Sequence, residues 1–99
     1  MSAVTVAAGG PAVVKSAAER LRVLIDFDAL MRPHELLVKV IGLDPAGALI
    51  ELSRCNAGRF VQLDIGIDAD GLARERCIGM TVQTTQGTVA GALVVQVTA

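Results

Sequence analysis

Tryptophan and tyrosine are absent from the 99-residue sequence, and Phe27 and Phe60 are its only aromatic residues. Base stacking and most sugar-face recognition use aromatic platforms, so their scarcity disfavours a receptor-binding tip and a single-strand nucleic-acid groove. An excess of one charge is missing too: nine Lys and Arg stand against ten Asp and Glu, a formal charge of -1. No local Lys/Arg cluster compensates, which disfavours nucleic acid and anionic membrane as partners. Charge or glycine interrupts every apolar stretch before the length of a membrane span. Met1 to Gly10 lacks the charged start of a secretory signal, so the chain is expected to be made and kept in the cytoplasm. Cys55 and Cys77 are the only cysteines. In such a chain they are expected as reduced thiols, the alternative being a pair across neighbouring strands.

What is present is aliphatic. Hydrophobic residues make up 53% and the mean hydropathy is +0.57, so Val, Leu, Ile and Ala must fill the core. A chain this short forms one domain of thin stability. The apolar surplus of so small a domain calls for a subunit interface.

Residues 1–19 are small and weakly patterned, with Gly9-Gly10-Pro11 as a hinge or turn, and read as an extended N-terminal arm before a β domain of residues 20–99. From Arg20 the pattern has period two: Leu21, Val23, Ile25 and Phe27 on one side, Arg22, Asp26 and Asp28 on the other. Leu36 to Leu43 reads as a second strand, and Asp44-Pro45-Ala46-Gly47 as a turn closing a hairpin into Ala48 to Ser53. Val61, Leu63, Ile65 and Ile67 alternate with Gln62, Asp64 and Gly66, one face buried and one wet. Ile78, Met80, Val82 and Thr84 mark the next strand, and Val89 to Val97 the last. The fold class is all-β, an antiparallel sandwich of about six to seven strands, the seventh candidate being Val4 to Ala8. Its expected core holds Val23, Ile25, Phe27, Val61, Leu63, Ile65, Val82, Leu93 and Val95. One helix competes, Ala12 to Leu24, where Ser16 and Glu19 mimic a capping box.

No constellation carries catalysis. His34, the single histidine, sits in a connector, and nothing around Cys55 or Cys77 has a nucleophile signature. One His and two widely spaced Cys lack the paired spacing of a zinc site. Asp64, Asp68 and Asp70 before Gly71 imitate a calcium loop but miss its pattern, and read as turn chemistry. Gly9-Gly10-Pro11 lacks what a phosphate cradle needs. No catalytic, cofactor or metal residue is therefore expected, and no enzymatic activity.

Val14-Lys15-Ser16-Ala17-Ala18-Glu19-Arg20-Leu21, then Ile25-Asp26-Phe27, Leu30 and Glu35, form a Lys-led polar segment, a strand ending in Asp-aromatic, and a Leu and an acid beyond it. Gly71 precedes a later strand, Thr84-Thr85-Gln86-Gly87 follows that strand, and Leu93 to Val97 closes the domain. Over roughly residues 14–98 this resembles the small phage fiber-tail adaptor family. The resemblance implies an immunoglobulin-like sandwich placed between a phage tail or neck and its fibers. Function is then structural: a homo-oligomeric virion protein, assembled in the host cytoplasm, that binds other virion proteins. A capsid decoration or head-tail joining protein is the alternative, since those are also small β-rich subunits that bind by arms and sheet edges.

Overall fold

The computed structural model describes residues 2–44, 49–68, 71 and 73–99. Among them are eight strands and a single 3-10 turn at Asp28–Leu30. The strands are β1 (Ser2–Ala7), β2 (Val13–Ser16), β3 (Leu21–Asp26), β4 (Leu37–Asp44), β5 (Ile50–Asn56), β6 (Phe60–Ile65), β7 (Arg74–Thr84) and β8 (Gly87–Thr98). They form two four-stranded sheets, one ordered β1-β3-β6-β5 and the other β2-β8-β7-β4. The inward sides of both sheets supply a single core.

Period-two alternation of β-branched and aliphatic residues makes the central strands. Leu21, Val23 and Ile25 of β3 and Val61, Leu63 and Ile65 of β6 face Ile78, Met80 and Val82 of β7 and Leu93, Val95 and Val97 of β8. All nine residues expected in the core are buried. Phe27, fully enclosed, is seated against Gly91, where a Cβ would stand 2.6 Å from the ring. Glycine at 91 is thus a packing requirement of the ring.

Several expectations change. Residues 2–19, expected as an extended arm, run largely along the chain's own sheets. There β1 pairs with β3 and β2 with β8, both in parallel. The chain therefore provides the partner surface that orders this segment, and the sheets are mixed rather than antiparallel throughout. No helix forms over Ala12 to Leu24, because Val13, Val14, Val23 and Ile25 favour the pleated backbone. The Ser16/Glu19 reciprocity survives as a turn: the Ser16 N–H donates to the Glu19 carboxylate at 3.2 Å and the Glu19 N–H to the Ser16 carbonyl at 3.2 Å. The hairpin expected at Asp44–Gly47 is not a sheet hairpin, since β4 pairs with β7 and β5 with β6, in different sheets. Pro45, Ala46 and Gly47 themselves lie outside the described residues.

β2 turns Val13 and Lys15 inward, and Ala17 just beyond it is buried too. Lys15 is only 1% exposed, and its ammonium donates to the Ser16 carbonyl at 2.7 Å. Its four-carbon stem fills apolar space at the sheet edge while the charge reaches a backbone oxygen.

Candidate interaction surface

The outward sides of the two sheets differ in chemistry. On the first sheet, Arg22 grips Asp64 with two nitrogens, at 2.8 and 3.0 Å. Arg54 donates to Gln62, and Gln62 donates to Asp64 at 3.3 Å. Arg59 reaches Asp26 at 2.9 Å and lies 4.9 Å from the centre of the Phe60 ring. The alternation of Gln62 and Asp64 with the core residues predicts a wet face, yet these two are 2% and 6% exposed. Long arginine side chains from neighbouring strands close over them. Hydrogen bonds from Arg22 hold the Asp64 carboxyl below its ordinary range, and Arg59 does the same for Asp26. This face satisfies its polar groups within the chain.

The second sheet turns the opposite register outward. Since β7 and β8 pair without a register shift, the residues alternating with their core positions share one face. Cys77 stands opposite Val94, Gly79 opposite Ala92 and Thr81 opposite Ala90. Val14 of β2 is exposed beside them, and Gly42 of β4 pairs with Thr81. Charge is confined to the margins, with Lys39 and Asp44 on β4 and Glu75 on β7. Two shallow depressions of about 330 and about 410 Å³ meet at Ala90 and Gly91. A small-residue sheet face of this kind, with charge only at its margins, loses little polar hydration when covered.

The β4 margin adds half-exposed Leu36, Val38 and Ile41. Register shifts at Leu37/Lys39 and Val40/Gly42 interrupt the pairing of β4 with β7. A bulged, Lys-bearing edge resists addition of a further strand.

The residues singled out for chemistry are dispersed. His34 has a φ of 65° in the connector between β3 and β4. It lines a concavity of about 450 Å³ that includes Asp28, Arg32 and Arg59 and neither cysteine. Cys55 packs against the core from the first sheet, where burial pushes its thiol up, while Cys77 is exposed on the second. Both are free thiols. Asp64 pairs with Arg22 and Asp68 with Arg76 at 2.9 Å, which explains both carboxylates without a cation. Asp70 lies outside the described residues, and among those described no three His, Cys, Asp or Glu converge as metal ligands. Gly9-Gly10-Pro11 joins an edge strand of one sheet to an edge strand of the other.

Two pieces of the sequence noted for their resemblance meet in space. Glu35 accepts from the Thr84 hydroxyl and from the Arg32 N–H at 2.8 Å. Thr85 exchanges bonds with Leu36, and the Gln86 amide donates to the Pro33 carbonyl at 3.1 Å. These contacts pin the connector to the β7–β8 turn, and the Thr84 hydroxyl draws the Glu35 carboxyl below its ordinary range.

The outward face of the second sheet is the surface that sequence reasoning missed. Its signal was available: the positions out of phase with the core in β7 and β8 are mostly small and uncharged, unlike their counterparts in β3 and β6. In comparisons with known proteins, no family model, no curated protein and no solved structure matches this chain.

Proposed function

We propose that this chain is a noncatalytic structural subunit of a bacteriophage virion, an immunoglobulin-like adaptor that links tail or neck to fibers and associates with its own copies. The observation that carries the reading is the contrast between the two sheet faces. One is closed by its own ion pairs, and the other is small-sided, open and uncharged except at its margins, as a face built to be covered by protein would be. The resemblance over residues 14–98 supplies the virion setting.

The test places one charge on the open face. Ala92→Arg is exposed in the folded chain, so its melting midpoint should stay close to the parent's. Self-association measured by light scattering should be lost, while Thr5→Arg on the opposite sheet should leave it intact. Maleimide labelling of Cys77 should slow on assembly. Antibody against the chain is expected at the junction of tail and fibers. Label over the capsid lattice would support the decoration reading, and an Ala92→Arg chain that assembles like its parent would remove the face from consideration.

A further inference from the structure

β2 covers β8 from Val95 to Thr98 and no further. Beyond it one bond reaches this edge, from the Gly9 N–H to the Ala92 carbonyl at 2.9 Å. At the other end, the Ala17 N–H donates to the Thr98 carbonyl at 2.8 Å on the same edge. Backbone groups alternate sides along a strand, so the N–H and C=O of Thr88 and Ala90 point to this edge as well. Among the described residues no hydrogen bond engages them there. Beside them lies the depression of about 410 Å³ lined by Ala8, Gly9, Leu30, Ala90, Gly91 and Ala92. Leu30 is 44% exposed.

We propose that this upper edge of β8 takes an extended, uncharged segment of a partner polypeptide as an added strand. The inference rests on the protein-assembly reading above and assigns it a second contact. Thr88 and Ala90 present backbone donors and acceptors at a two-residue repeat of about 7 Å, which an extended backbone matches and a helix does not. None of the six lining residues is charged, so a charged side chain entering the depression would lose hydration uncompensated. β4 carries Lys39 and two register shifts, and β5 carries Glu51, Arg54 and one shift. The outer edge of β1 is as unguarded as this one, and the depression lined by Leu30 is what the β8 edge adds. Residues 87–92 carry neither charge, proline nor a shift.

The probe is the acetylated, amidated peptide of residues 2–8, an uncharged segment that this fold already holds as an edge strand. Titrated into the isotope-labelled full chain, it should give saturable amide shifts and slowed amide exchange at Thr88 and Ala90. Ala90→Pro removes an N–H that faces the open edge, not one bonded to β7, so it should fold and weaken binding at least tenfold. Thr5→Pro makes the corresponding change on the outer edge of β1 and should leave binding at Thr88 and Ala90 unchanged. N-methylation along the peptide should abolish binding at alternate positions only, a readout independent of how any variant folds. The proposal is overturned if no saturable shifts appear at 88–92, if Ala90→Pro binds like the parent, or if the methyl scan has no period of two. Self-association abolished by Ala90→Pro would assign the edge to a second copy and overturn the heterologous partner. If Ala92→Arg blocks assembly while the peptide fails to bind, the face stands and the added strand does not.

Discussion

Gly91→Ala tests how the ring of Phe27 is seated. A Cβ at 91 would lie 2.6 Å from Cζ and 2.7 Å from Cε2 of Phe27, and 3.4 Å from the Ala8 Cβ. Relaxed carbon–carbon contact needs ~3.5–4.0 Å, so the ring must retreat by about 1 Å. The ring is fully enclosed, and overfilling a packed core by a methyl group costs ~1–3 kcal/mol. Alanine regains ~0.5–1 kcal/mol over glycine within a strand, leaving a net loss of ~0–2.5 kcal/mol. At ~1 kcal/mol, near the centre of that range, the melting midpoint of a domain of this size falls by about 4–8 °C. Far-UV circular dichroism is the suitable probe, because the chain has no Trp or Tyr to report by fluorescence. Phe27→Leu shortens the side chain and should relieve the clash, so the double variant should be at least ~1 kcal/mol more stable than the two single losses added together. Additive losses would refute the seating of the ring.

Lys15→Met keeps the length of the stem and removes a buried ammonium held by one backbone carbonyl. It is expected to stabilise the chain by ~1–3 kcal/mol, read as a higher urea midpoint, and a lower midpoint would show that the charge is better satisfied than its geometry indicates. Asp26, Glu35 and Asp64 have folded values below their unfolded ones. Their contribution is therefore present above the unfolded values and lost as pH falls through the folded ones, so the thermal midpoint should drop between about pH 5 and pH 2. Arg22→Gln should flatten part of that fall, and a profile parallel to the parent's would show that Arg22 does not control Asp64.

Local periodicity made much of this fold legible. β3, β6, β7 and β8 alternate cleanly, because each has one face against the same core, and their inward residues could be named from spacing alone. Pairing is a different matter, since nothing in Val13–Ser16 marks β8 as its partner across most of the chain. The same holds for Val4 and Val6, whose parallel partner β3 was not written in their pattern. β4 lost its alternation to two register shifts, leaving it readable as a strand but not as an edge. On β6, polarity at Gln62 and Asp64 signalled solvent because arginine cover comes from other strands. The candidate surface was hidden for a related reason: Ala, Gly and Thr on β7 and β8 look unremarkable until the register sets them side by side.

The pairing of β2 with β8 also sets an order on folding during synthesis. The Thr98 hydroxyl that donates to the Lys15 carbonyl lies 83 positions further along the chain. β2 cannot take its place before β8 has been made, so the segment carrying Lys15 waits unpaired until then. Closure of so long a loop adds little to its free-energy cost but delays this step of folding. During that interval Val13 and Val14 are exposed, and the growing chain is most open to capture by chaperones or by its neighbours.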